Sequence, residues 1–176
     1  MSRRDPLDVY EAIKTRRSVR AYKHEPVPDE VLRRILEATR FAPSAGNRQP
    51  WKFVIVRDAS RRQQLATAAD SQYFVGQAPV IIIAVALDPE RVMSCGVPSY
   101  AVDLAIAIDH LTLAAASEGL GTCWIGAFSQ DEVRRILDIP KNYKVVTVLP
   151  LGYPADSPRP KFRKPIEEVV FYESFK

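Results

Sequence analysis

SYAVDLAIAIDHLTLAAASE, residues Ser99 to Glu118, is the most apolar helical stretch of the chain. Val102, Leu104, Ile106, Ile108, Leu111, Leu113 and a run of alanines leave almost no polar face, which predicts a helix lying centrally in the molecule. Gly119 fits the residue after a helix end, and Ala105, Ala107 and Ala114 to Ala116 allow another helix to come close. Asp103 and Asp109 interrupt this pattern, and burying either without a partner would be costly.

Working outward, Pro79 to Leu87 reads as a fully buried strand, Lys52 to Arg57 as a strand rich in β-branched and aromatic residues, and Lys144 to Leu151 as another buried strand. Thr122 to Ile125 is a shorter one. Helices are predicted from Asp5-Pro6, with Asp5 as N-cap, to about Thr15, over Asp29 to about Phe41, and over Ala59 to Ala69. Ser129-x-x-Glu132 is a capping box that opens a helix to about Leu137. The last segment, Arg159 to Lys176, begins Pro- and base-rich and ends in VVFYESF, a plausible final strand. Two helices precede the first strand, so the order predicts an α+β domain of three layers around a mixed central sheet, not a doubly wound nucleotide fold. No G-x-G-x-x-G follows a strand and no G-x-x-x-x-G-K occurs, which removes the Rossmann and P-loop readings.

The 176 residues suit one domain spanning 1–176. With 47% hydrophobic and 26% charged residues, the composition excludes disordered and collagen-like classes. The longest apolar run, Val80 to Leu87, is too short to span a bilayer, and no apolar stretch follows the basic N-terminus, so no membrane partner and a cytoplasmic location are expected. Cys95, Cys123, His24 and His110 are too dispersed for a metal site or a disulfide framework. A net charge of +4 is too mild for a nucleic-acid binder, so no nucleic-acid partner is expected.

Three segments carry candidate chemistry. Arg16-Arg17-Ser18-Val19-Arg20 sets three guanidinium groups and a hydroxyl after a helix. Such a set suits phosphate, because Arg offers planar bidentate donors that stay charged. A cation-rich helix end matched to the dipole would look the same. Pro43-Ser44-Ala45-Gly46-Asn47-Arg48-Gln49-Pro50-Trp51 joins a helix to a strand. It offers free backbone groups and the amides of Asn47 and Gln49 to a flat heterocycle, or it is an ordinary connection with Trp51 filling the core. In Gly119-Leu120-Gly121-Thr122-Cys123-Trp124-Ile125-Gly126-Ala127, glycine would let a ligand approach the backbone at Gly126. Cys123 has no histidine nearby in sequence to activate it and reads as apolar packing, and His110 as a satisfied interior residue.

The R-R-S-V-R run, the A-P-S-A-G-N-R-Q-P-W loop, the G-L-G-T-C-W-I-G segment and P-K-F-R near the C-terminus, in this order and spacing over roughly residues 7 to 173, resemble the nitroreductase family of flavin enzymes. The resemblance implies a three-layer α/β/α fold and a homodimer with FMN at the interface. By that resemblance, Arg16, Arg17, Ser18 and Arg20, with Lys161 and Arg163, would grip the phosphate and ribityl chain. Pro43, Ser44, Ala45 and Asn47 would reach the flavin of the other subunit, and the backbone of Ile125, Gly126 and Ala127 would face the ring edge. Residues 159–176 would extend onto the partner subunit. NADH or NADPH would reduce the flavin and leave, and a small-molecule acceptor such as a nitroaromatic or quinone would then take the electrons at the same place, with no catalytic side chain. Only Asp88 to Pro98 stands where larger members carry a lid, and Gly126 replaces an acidic residue of one subgroup. A dehalogenase-like or flavin-consuming member, and a non-enzymatic polyanion binder, are the competing readings.

Overall fold

The computed structural model describes residues 8–156 and 161–175. In chain order the elements are α1 (Val9–Thr15), α2 (Asp29–Arg40), β1 (Trp51–Val56), α3 (Ala59–Ala68), α4 (Tyr73–Gln77), β2 (Val80–Ala86), α5 (Ser99–Ser117), β3 (Gly121–Thr122), α6 (Gln130–Leu137) and β4 (Lys144–Gly152).

Alternation along β2 sorts the molecule into layers. Every residue of this strand is buried, and successive side chains leave opposite faces of the sheet. Val80, Ile82, Ala84 and Ala86 enter one core with Val31, Leu32 and Ile35 of α2 and Leu104, Ile108, Leu111 and Ala115 of α5. Ile81, Ile83 and Val85 enter the other with Leu65 of α3, Val75 of α4 and Val133 and Ile136 of α6. Each large aliphatic side chain so enclosed contributes about 1.5–3 kcal/mol of burial, and a core on both faces is what makes the three-layer α/β/α arrangement.

The sheet order is β1-β2-β4-β3, and all three strand pairs are antiparallel. The parallel component of the expected mixed sheet is confined to the isolated bridge between Ser18 and Thr122. Two helices, α3 and α4, join β1 to β2, which run antiparallel, and the single helix α6 joins β3 to β4, which are antiparallel as well. The short α4 is absent from the sequence reading. It is a five-residue turn of helix in which Val75 and Gly76 are buried.

Both ends of the chain differ from expectation. Asp8 is the N-cap of α1, its carboxylate accepting from the N–H groups of Tyr10 and Glu11 at 2.7 and 3.1 Å; Asp5 and Pro6 lie outside the described residues. VVFYESF is not a strand: it follows a single 3-10 turn at Ile166–Glu168 as exposed irregular chain, with no strand beside it among the described residues. Arg159 and Lys176 lie outside those residues. By length and composition α5 could cross a membrane, but Leu104, Ala107, Ile108, Leu111 and Ala115 are buried in the core. Its other stripe, Ala101, Val102, Ala105 and Asp109, is exposed in the single chain, so the helix is not enclosed on all sides.

Candidate functional site

The arginine run takes its place from the edge of the sheet. Beyond α1, Ser18 bridges Thr122 and the Val19 N–H donates to the Thr122 carbonyl at 2.9 Å. This extended stretch buries Val19 and leaves Ser18 and Arg20 exposed. Gly121 is what allows it so close. A Cβ there would lie 2.7 Å from Val19 Cβ. The Tyr22 hydroxyl locks the same stretch by donating to the Val19 carbonyl at 2.8 Å.

Arg16 and Ser18 thereby line a cleft of about 230 Å³, together with Ala105, Ile108, Asp109 and Thr112 of α5, Thr122 of β3, and Trp124. Lys161 closes in from the other end of the chain, its ammonium donating to the Ile13 carbonyl at 3.3 Å. Burial pushes the Lys161 ammonium below its ordinary pKa, and the positive charges of Arg16, Arg17 and Arg163 push it further in the same direction. Positive charge from two ends of the sequence therefore acts on the Lys161 ammonium here. Among the described residues, none of the four is ion-paired with a carboxylate. An anion of phosphate size and charge would relieve that repulsion, and Ser18, Thr112 and Thr122 line the cleft with Arg16.

The two readings of the arginine run divide between residues. Arg17 donates to the carbonyls of Lys14 and Arg16 at 2.5 and 3.0 Å, so it satisfies the end of α1 as the dipole reading expects. Arg16 faces the cleft. Arg20 sits on the flank, where its charge partly offsets the burial that raises the Cys123 thiol and the Tyr22 hydroxyl above their ordinary pKa values. Cys123 is thus a buried thiol that remains protonated, in keeping with apolar packing and not with a nucleophile.

The loop after α2 is built around a 3-10 turn at Ala45–Asn47. Gly46, Asn47 and Gln49 hold φ of 62°, 52° and 52°, the left-handed region that is costly for the two amides. Local bonds compensate. Ser44 Oγ accepts from the Gln49 N–H at 2.9 Å, and Gln49 Nε2 donates to Asn47 Oδ1 at 3.2 Å. The Ala45 N–H donates to Asp103 Oδ1 of α5 at 2.9 Å. None of the loop residues lines the cleft. Asp103 and Asp109 are six residues apart, about 9 Å along the helix axis.

The nitroreductase family profile matches residues 13–79 and 68–153. The chain belongs to the nitroreductase family. An NADH dehydrogenase of Thermus thermophilus is 34% identical over 197 residues, covering 94% of this chain and 96% of that protein. An FMN reductase (NAD(P)H) of Bacillus subtilis is 34% identical over 185 residues, covering 96% of this chain and 74% of its own length. The structure of the NADPH:FMN oxidoreductase of Vibrio harveyi complexed with NAD+ superposes with a TM-score of 0.87 at 29% identity, covering 97% of this chain and 76% of that one.

In this nitroreductase-family chain, Arg16 and Ser18 line the cleft, Arg17 turns onto the end of α1, and Lys161 reaches the Ile13 carbonyl from the C-terminal segment, while Arg163, two residues further on, donates to the Phe162 carbonyl at 2.7 Å. Pro43, Ser44, Ala45 and Asn47 do not join that cleft within one chain. Ile125 is buried and pairs with Val148 through two backbone bonds of 3.1 and 3.2 Å. Gly126 and Ala127, which follow it, are exposed. A Cβ at Gly126 would touch only Trp124 Nε1, at 3.8 Å, so the glycine leaves open space that local packing does not require. Trp51 opens β1 and packs on the core, as an ordinary connection would have it. Four cleft residues, Ala105, Ile108, Asp109 and Thr112, lie on α5 and were given no site role by the sequence reading, while Thr122 and Trp124 belong to the glycine-flanked segment it singled out without assigning them one. For Asp109 and Thr112 the signal was present, because they stand three apart on the helix that also carries the apolar stripe.

Proposed function

We propose that this protein is an NAD(P)H-dependent flavin oxidoreductase that holds FMN in a seam between two copies of the chain and passes electrons to nitroaromatic, quinone or related acceptors. The observation that carries the reading is Lys161, brought from the far end of the sequence to the Ile13 carbonyl beside Arg16 and Arg17, with no carboxylate ion-paired to any of the three among the described residues. A cation set of this kind fits a phosphate monoester, and the bordering hydroxyls fit a polyol chain, so the residues present suit FMN.

FMN, when bound, supplies the two-electron exchange between NAD(P)H and the acceptor. Arg16, Lys161 and Arg163 hold the phosphate, with Arg17 adding charge from the helix end and Arg20 from the flank. Ser18 offers its hydroxyl to the ribityl chain. Pro43, Ser44, Ala45 and Asn47 of a second copy complete the pocket, and the backbone of Ile125, Gly126 and Ala127 lies along the ring edge. Gly126 leaves that edge bare, and the Asp88–Pro98 segment is short. Acceptor choice then falls to the few side chains that cover the open face. Donor and acceptor use that face in turn, which gives ping-pong kinetics.

The second copy has physical support in the exposed stripe of α5 and in Val9, Tyr10 and Ile13 of α1, which are 59%, 72% and 50% exposed. Phe162, Tyr172 and Phe175 of the C-terminal segment are 82%, 84% and 91% exposed. Apolar area on this scale favours a homodimer. Residues 1–176 form one domain in this reading, and 159–176 reach over the partner subunit. The enzyme works in the cytoplasm, where NAD(P)H is available.

The test is the absorbance spectrum of the purified protein, with identification of the released cofactor and initial rates at several acceptor concentrations. A yellow dimer releasing FMN, with parallel double-reciprocal lines, is expected. A colourless protein that neither binds FMN nor oxidises NAD(P)H would overturn the proposal.

A further inference from the structure

Asp103 is the one charged side chain buried among the described residues, at 3% exposed. It lies in the most apolar helix, where an aliphatic residue would pack at no electrostatic cost, and a buried carboxylate is expensive unless its partners repay it. Its hydrogen bond is to a backbone N–H on another element, the 2.9 Å contact from Ala45. That N–H opens the 3-10 turn Ala45–Asn47, whose cap residue Ser44 makes no side-chain capping bond to it. Without Asp103, the donor would have no partner in the loop. The same loop holds Asn47 and Gln49 in left-handed backbone, a conformation that persists only where the surroundings enforce it.

We infer that Asp103 is a positioning residue for the flavin site: its buried carboxylate fixes the Ser44–Gln49 loop in the shape with which that loop meets the flavin held by the other subunit's cations. The inference rests on the two-copy FMN reading above. Asp103 touches neither flavin nor substrate. It acts through the Ala45 N–H, on the opposite part of α5 from the cleft that Asp109 lines. One helix thus serves two flavin sites, its own chain's cleft through Asp109 and Thr112 and the partner's through Asp103.

The test uses Asp103→Leu, which removes the acceptor while keeping a buried side chain of similar size, and Asp103→Asn, which keeps an acceptor oxygen. Asp103→Leu is expected to weaken FMN binding by about 10-fold or more, from the loss of one charge-assisted hydrogen bond, and to speed hydrogen exchange at the Ala45 amide. Asp103→Asn is expected to restore most of both. A mixed dimer of one Asp103→Leu chain with one Arg16→Ala chain carries one site with both defects and one with neither. It should bind one FMN per dimer with native affinity.

Native FMN affinity and slow Ala45 exchange in Asp103→Leu would overturn the inference. So would a mixed dimer without any tight site, because the loop would then serve its own chain. If Asp103→Leu fails to fold, Asp103→Asn and the Ala45 exchange of the wild type decide: an Ala45 amide that exchanges freely in the wild type refutes the positioning role. Failure of the underlying reading looks different, since the wild type itself would then be monomeric or would not bind FMN.

Discussion

Replacing Gly121 with alanine should damage the flavin site without touching any residue that meets the flavin. An added Cβ would lie 2.7 Å from Val19 Cβ, and Val19 is only 3% exposed, so it has no free space to move into. The Val19 N–H to Thr122 carbonyl bond and the Ser18–Thr122 bridge hold the strands together at this point, so relief requires the 16–20 stretch to lift off β3. Overpacking of this kind costs about 1–3 kcal/mol, and for a chain of this size each kcal/mol lowers Tm by about 2–4 °C, so a loss of roughly 2–12 °C is expected. Lifting the stretch also carries Arg16 and Ser18 away from Lys161 and Arg163, so FMN affinity should fall together with Tm. Thermal unfolding of the FMN-free protein and fluorescence titration with FMN measure the two effects. Adding Val19→Ala to Gly121→Ala removes the offending methyl groups and should recover at least half of the lost Tm and part of the affinity. A double variant as weak as the single one would refute the reasoning, because the clash would then not be with Val19.

Other outcomes follow from the same contacts. Arg16→Ala and Arg163→Ala should each weaken FMN binding about 10- to 150-fold, the loss of one charge-assisted contact, and leave riboflavin binding nearly unchanged; titration with both flavins checks it. Lys161 has a folded-state pKa below its ordinary 10.5, so the unfolded chain holds more protons in the window between the two values, and stability of the FMN-free protein should rise with pH across that window. Lys161→Met should flatten that rise in Tm measured against pH. The hydrogen bond from Arg34 holds the Glu118 carboxyl below its ordinary value of 4.5, through paired contacts of 2.6 and 2.8 Å. Its stabilisation is present above that value and lost as pH falls through the lowered one. Arg34→Ala should lower Tm only slightly at neutral pH, as expected for a solvent-screened pair, and leave it nearly unchanged at pH 2–3.

Periodicity revealed those parts of the architecture that depend on burial. β2 is apolar at every position because helices cover both its faces, and the stripe that periodicity marks on α2, Val31, Leu32, Ile35, Leu36 and Thr39, is buried except for the half-buried Leu36. Ser129 caps α6 by accepting from the Glu132 N–H at 3.3 Å, a local bond that a four-residue pattern can announce. Strand direction was not legible in the same way. It depends on the path each connection takes back to the sheet, and α4 is too short to leave a periodic trace. VVFYESF has the residues of a strand, but among the described residues it lies beside no strand, although β1 is an edge of the sheet.

The site was legible where chemistry concentrates in a few neighbouring residues. Arg16, Ser18 and Arg20 announce an anion site in sequence, but the division of labour that turns Arg17 onto the end of α1 depends on side-chain rotamers. Lys161 and Arg163 are nearly 150 residues distant from Arg16, and only folding brings them beside it. Asp103 and Asp109 were conspicuous as acids in an apolar helix, yet their opposite fates, one buried under a loop and the other lining a cleft, follow from the helical phase relative to α1, α2 and the sheet.

The central claim is that cations from both ends of the chain recognise the phosphate of FMN. Titrating the flavin-free dimer with FMN and with riboflavin, identical but for that phosphate, tests it most directly. The account predicts that FMN binds at least about 100-fold more tightly, as two or more charge-assisted contacts require. Affinities equal within about threefold would contradict it, because the cations assigned to the phosphate would then contribute nothing to its recognition.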